Sequence, residues 1–155
     1  MNNREYTVHY LRGLSRARHS IERRQEQLEE LQREVIGVKA IRYDKENIDQ
    51  SPSNSVEDSL VRYLDHAREI EGYINYYVEL KNRLMEQIED LAEQCEKNGD
   101  TYSQVLYKIY VEEKKGALVA RELGYTRRQM ERYHRRALME FYECFLKVSQ
   151  DVNVS

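Results

Sequence analysis

Five arginines fall within ten residues near the end of the chain: Arg127, Arg128, Arg132, Arg135 and Arg136. A guanidinium carries its donors in a rigid planar fork, which matches the edge of a guanine or two phosphate oxygens. Clustered this way, such side chains suit recognition of a polyanion better than the making or breaking of bonds. Arg121 and Gln129 lie close by in sequence and add polar reach. The rest of the chain offers little catalytic material. His9, His19, His66 and His134 are scattered, with no ligand spacing to Cys95 or Cys144. No glycine-rich phosphate loop follows a strand pattern, and acidic neighbours such as Glu29–Glu30 and Glu112–Glu113 read as solvated helix faces. No enzyme, metal site or cofactor is expected.

The arginines need a scaffold, and Ala117 to Phe141 supplies one. A short helical pattern, Ala117 to Leu123, stops at Gly124, a residue that takes the left-handed conformation without penalty. Thr126 then precedes a second helical pattern, with Gln129 three residues on, which is a capping box. In the second helix Met130, Tyr133, Ala137, Leu138 and Phe141 recur at steps of three and four and define an inner face. Leu118 or Val119, Ala120 and Leu123 are the packing stripe of the first helix, and the small Ala120 suits a close crossing. A short helix, a glycine turn and an arginine-loaded helix are the parts of a helix-turn-helix. Thr101 to Lys147 holds ten basic residues against six acidic, about +4, while the whole chain is −3. Segregated charge of this kind is expected of a nucleic-acid reader.

The stretch VARELGYTRRQMERYHRRALMEF resembles region 4 of bacterial sigma factors, whose helix-turn-helix reads the −35 promoter element. The likeness rests on Val119-Ala120, Leu123-Gly124, Thr126-Arg127, Met130 and Ala137-Leu138. An acidic residue commonly follows Thr-Arg in that pattern, where this chain has Arg128. It covers about the last third of the chain. The layout as a whole is similar to small phage and prophage regulators of the ArpU and RinA type. The resemblance implies transcriptional control, with late-gene activation and RNA polymerase as expected context.

The remaining residues read as long helices. One proline, six glycines and 34% charged residues in 155 favour helix and a thin core. Leu14, Ile21, Leu28 and Val35 are spaced by seven, and Ala17, Arg24, Leu31 and Val38 follow each by three. These are the two seams of a coiled coil, one interrupted by Arg24. The spacing predicts a first helix from Glu5 to Val38 and a loop over residues 39–55 around Pro52. A second helix is expected from Ser55, capped with Asp58, to Glu96. On it Leu60, Ala67, Ile74, Ile88 and Cys95 form one row, flanked by Leu64, Ile70, Tyr77, Leu84 and Leu91. The two helices can fold into a hairpin or pair with a second copy. The thirteen tyrosines are expected mainly to pack, with Tyr107, Ile109 and Tyr110 supporting the reader. Arg12, Arg16, Arg18, Arg23 and Arg24 read chiefly as a solvated face that pairs with Glu26, Glu29 and Glu30; contact with DNA flanks is the other reading.

The expected protein is therefore all-α. A helical hairpin or coiled-coil region spans residues 1–97, a sigma-like helix-turn-helix domain 101–147 and a tail 148–155. The expected function is sequence-specific regulation through double-stranded DNA. Arg127, Arg128 and Arg132 are assigned to base edges and Arg121, Gln129, Arg135 and Arg136 to phosphates, while Thr126 caps and lies within reach of a phosphate. A homodimer is expected through Leu14, Ile21, Leu28, Leu31 and Val35. The other function class is a protein-binding adaptor or inhibitor working through the hairpin. Two cysteines, a polar start and no long apolar run point to the cytoplasm and away from a membrane.

Overall fold

Asn2 starts the first helix. Its side chain accepts from the Glu5 amide at 2.8 Å, and the Glu5 carboxylate accepts from the Asn2 amide at 3.1 Å, a reciprocal cap that the sequence reading overlooked. The computed structural model describes the backbone of residues 1–44 and 53–148 and the side chains of 1–37 and 57–148. Its helices are α1 (Asn3–Leu11), α2 (Gly13–Asp44), α3 (Ser53–Gln94), α4 (Gly99–Leu106), α5 (Gly116–Leu123) and α6 (Arg127–Phe141). Two single-turn π-helical segments, Tyr107–Val111 and Tyr142–Leu146, follow α4 and α6. Among the described residues there is no strand, so this part of the chain is all-helical.

The single helix expected from Glu5 to Val38 is divided at Arg12, and its second part continues to Asp44. The division has a packing cause. Leu11 and Thr7 are fully buried, and Tyr6 and Tyr10 set their rings against Tyr142 and Phe141, with centroids 6.5 and 6.0 Å apart. Turning the chain at Arg12 brings this short helix onto α6. Near the break Arg16 donates to the His9 carbonyl at 2.8 Å, which satisfies a backbone acceptor at the helix end.

The chain forms two compact units, Met1–Arg16 with Val78–Ser155, and Ala17–Tyr77. The boundary expected between residues 97 and 101 is replaced by divisions inside α2 and α3, because α1 and the later part of α3 bury their apolar residues with α4 and α6. In the first unit Leu11, Leu84, Leu91, Val105, Leu106, Val119, Leu138 and Phe141 are fully buried. The turn from α3 into α4 requires Gly99. A methyl group there would collide with the Ala92 carbonyl oxygen and stand 3.1 Å from its carbon. Asn98 just before it is left-handed, with φ 62°.

In the second unit α2 and α3 pair through Arg24. Its guanidinium meets Glu69 at 3.2 Å, donates to the Tyr73 hydroxyl at 2.8 Å and lies 4.1 Å from the centre of the Tyr73 ring. Arg24 stands about as far before Asp44 as Glu69 does after Ser53, so the two helices run antiparallel. The arginine that interrupted the seam is thus a bridge between helices, not a partner of Glu26, Glu29 or Glu30. Arg18 pairs along its own helix with Glu22.

The proposed dimer seam is turned inward. Leu14, in the first unit, is 3% exposed; in the second, Ile21 is 8% exposed and Leu28, Leu31 and Val35 are half-buried. A seam used inside one chain is not free to hold a second copy. On α3 the expected rows change rank: Ile70 is buried, while Leu60 and Leu64 are each 46% exposed and Ile74 is 38% exposed. The inner row is the one through Ile70 and Tyr77. The predicted loop is shorter than 39–55, since helix runs through Asp44 and resumes at Ser53, ahead of Ser55. A capping box is a local preference of about 1 kcal/mol, and a helix can extend past it. Residues 45–52 of that loop, residues 149–155 of the tail, and the side chains of Val38, Pro52 and Ser55 lie outside the described residues.

Candidate nucleic-acid interface

α5 is built to be held close. Val119 and Ala120 are buried with Val105 and Met130, and Ile109, Leu123, Tyr125 and Tyr133 close around them. Its end follows the sequence reading: Gly124 has φ 73°, with the Gly124 amide donating to Arg121 and the Tyr125 amide to Ala120 at 2.8 Å. That double closure is a Schellman-type stop, and the positive φ is why glycine is needed there. Leu118 is 41% exposed, so Val119 rather than Leu118 is the packing residue.

Three residues later α6 begins. The Thr126 hydroxyl accepts from the Gln129 amide at 3.2 Å, and the Gln129 side-chain oxygen accepts from the Thr126 amide at 3.0 Å. Both side chains are committed to the cap, so Gln129 keeps only its amide NH2 for a phosphate. Met130, Ala137, Leu138 and Phe141 are buried and Tyr133 is half-buried, the inner face expected.

The outer face is arginine. Arg128, Arg132 and Arg135 stand at i, i+4 and i+7, one side of a helix, with Arg136 on its border. All four are exposed, as is Arg121 on α5, and among the described residues none of the five forms an ion pair. Arg127 differs. It lies about 100° around the helix from Arg128, and its guanidinium meets Glu131 at 3.2 Å. The proposed base-reading trio of Arg127, Arg128 and Arg132 therefore does not share one face; Arg135 shares it instead. The helical angle was computable from the sequence, and the Glu131 pairing at i+4 was its visible sign.

Other basic groups nearby are neutralised. Glu122 of α5 accepts from Lys108 at 2.9 Å and Lys114 at 3.0 Å, and Lys114 also meets Glu112 at 2.7 Å. Hydrogen bonds from Lys108 and Lys114 hold the Glu122 carboxyl below its ordinary range, and bonds to Glu112 and Glu122 hold the Lys114 ammonium above its own. These contacts tie α5 to the π-helical segment before it.

His134 is a packing residue. Its Nε2 lies 2.8 Å from the Tyr110 hydroxyl, and their rings are 5.8 Å apart. Burial, reinforced by the charges of Arg4 and Arg12, depresses the imidazole to about 4. Burial likewise raises the Tyr110 hydroxyl to about 12. Both are neutral near pH 7, so α6 carries no histidine charge among its arginines. Tyr102, 6% exposed, packs on Tyr133 as a supporting residue. Arg4 and Arg12 were not expected here; the i, i+4, i+8 spacing of Arg4, Val8 and Arg12 was the available signal.

The two cysteines are half-buried free thiols, both raised above their ordinary range, chiefly by burial. Among the described residues no three His, Cys, Asp or Glu are grouped to hold a metal ion, and no helix is long and apolar enough to cross a membrane. Comparison with protein-family models, with curated proteins and with solved structures finds no match to this chain.

Proposed function

We propose that this chain is a sequence-specific DNA-binding regulator of transcription, with α5 and α6 acting as a helix-turn-helix. One observation carries the reading: Arg128, Arg132, Arg135 and Arg136 crowd the outer side of a firmly capped helix without a carboxylate partner. Unpaired like charges on one face repel one another, and a polyanion relieves that repulsion. The start of α6 enters a major groove, where Arg128 and Arg132 donate to base edges. Arg135, Arg136 and Arg121 hold phosphates and fix the register. Arg127, steered by Glu131, sits beside the groove as a further phosphate contact. The sigma-like pattern supports a role at promoters in a bacterial cytoplasm, with RNA polymerase as partner and phage late genes as the context.

Fluorescence anisotropy with purified protein, on duplexes recovered by genome-wide DNA capture, tests this. With four or five phosphate contacts, log affinity falls with log salt at a slope of roughly −4 per protomer. A slope near zero, or no binding at low salt, removes the reading.

A second reading rests on the Ala17–Tyr77 unit. Leu60, Leu64, Ala67 and Ile74 follow a four-three-seven spacing along α3, and all but Ala67 are exposed large apolar residues. The occupant that this row fits is a second copy running antiparallel. Leu64 then meets Ile74, and Glu71 meets the small Ala67 beside Arg68. This keeps the homodimer but moves it from the α2 seam to α3. Leu64→Glu would leave a monomer in light scattering; an unchanged mass would refute the pairing.

A further inference from the structure

Two concavities of the first unit share a single side chain, that of Arg12. One, about 590 Å³, is lined by Arg4, His9, Arg12 and Arg16 from α1 and the start of α2. The other, about 720 Å³, is lined by Arg12 with Arg121 of α5 and with Arg127, Met130 and His134 of α6. Five arginines border the pair against two carboxylates, Glu5 and Glu131. Neither carboxylate is free: Glu5 caps α1 and Glu131 holds Arg127. Arg16 has already donated to the His9 carbonyl, whereas Arg4 and Arg12 are exposed and form no ion pair among the described residues.

We propose that Arg4 and Arg12, continued by Arg121, form a second phosphate-binding strip that grips the DNA backbone outside the groove entered by α6. The proposal rests on the DNA-reading role of α6 and extends it to residues at the other end of the chain. Arg4 and Arg12 are eight residues apart, about 12 Å along a helix. That span suits successive phosphates of a backbone and is too wide for one small anion. The packing that brings the strip to α6 is that of α1, through Tyr6, Tyr10 and Leu11. The closeness of Arg4 and Arg12 to α6 is felt electrostatically at His134. The break at Arg12 thereby gains a purpose: a continuous helix would carry Arg4 away from α6.

The test needs no knowledge of the target sequence, because phosphate contacts supply the sequence-independent part of binding. Anisotropy titrations of the full chain would use mixed-sequence duplexes of about 30 and about 12 base pairs across a salt series from about 50 mM. On the longer duplex the Arg4→Ala/Arg12→Ala double variant should bind about tenfold more weakly, with a salt slope shallower by about two. On the shorter duplex it should match the wild type. Arg4→Lys/Arg12→Lys should restore binding, since lysine neutralises a phosphate equally well. Inorganic phosphate at millimolar concentration should not compete.

Four outcomes overturn the strip alone while the α6 reading stands. Arg132→Ala loses binding but the double alanine variant does not. The double variant loses equally on both duplexes. Its loss is not restored by lysine. Inorganic phosphate competes. If the wild type binds neither duplex at the lowest salt, the α6 reading falls and the strip with it.

Discussion

Arginine does opposite work in the two units. In the Ala17–Tyr77 unit Arg18 and Arg24 are occupied, one by Glu22 on its own helix and the other by Glu69 and the Tyr73 ring across the hairpin. On α6 Arg128, Arg132, Arg135 and Arg136 point outward with no carboxylate, while the basic side chains around them are paired off. Composition cannot distinguish these cases, because both stretches are arginine-rich. What separates them is the second residue: an acid or a ring within reach makes arginine an internal brace, and its lack leaves a charge for a partner. The comparison turns a count of basic residues into a statement about which of them are available.

The sharpest break would come at the available set. Arg128→Ala with Arg132→Ala should cost about 2–6 kcal/mol of DNA binding at the preferred site, the sum of two base contacts. The thermal midpoint should not fall, since neither side chain braces anything. A drop in stability as large as the loss of binding would dissolve the contrast.

His134 gives the next effect, through pH. Its folded value of about 4 lies below the ordinary 6.5, because burial disfavours the charged ring. The unfolded chain therefore binds more protons between those values, and stability falls as pH drops through that window. Near pH 7 the neutral ring costs nothing. By pH 4 about 3 kcal/mol should be lost. Chemical denaturation from pH 7 to 4 would follow it, and His134→Gln should flatten that part of the profile. DNA affinity over pH 7–8 should be unaffected, as the ring is already neutral there.

The smallest effect belongs to the occupied set. Arg24→Ala removes a partly exposed ion pair and a ring contact, worth about 1 kcal/mol together. It should lower the denaturation midpoint slightly and leave DNA binding intact. Loss of DNA binding without loss of stability would mean that Arg24 belongs with α6.

The α5–α6 region was legible because its rules are local. Gly124, Thr126 and Gln129 fix a stop and a start within a few residues, and the inner face follows from spacing alone. The long helices were legible as helices, but not in their ends or rows. Nothing between Glu5 and Val38 announces a break at Arg12 except Gly13, and the break answers to distant residues, Phe141 and Tyr142. The choice between the Ile70 row and the Leu60 row depends on which face α2 covers, a tertiary decision that equal spacings cannot make. The phosphate roles of Gln129 and Arg127 were assigned before their local partners, Thr126 and Glu131, had been counted as competitors.

The π-helical turn at Tyr107–Val111 makes the chain sensitive to length. Such a turn closes from the Glu112 amide to the Tyr107 carbonyl at 3.0 Å, one residue beyond the α-helical span. A chain shorter by a single residue here could close the same turn as ordinary α-helix. Everything after it would then swing by about 100° relative to α4. Lys114 would leave Glu122, and Tyr110 would leave His134. The position of α5 and α6 is thus written partly in residue number rather than residue type. A one-residue deletion in this turn should do more harm than most substitutions in it.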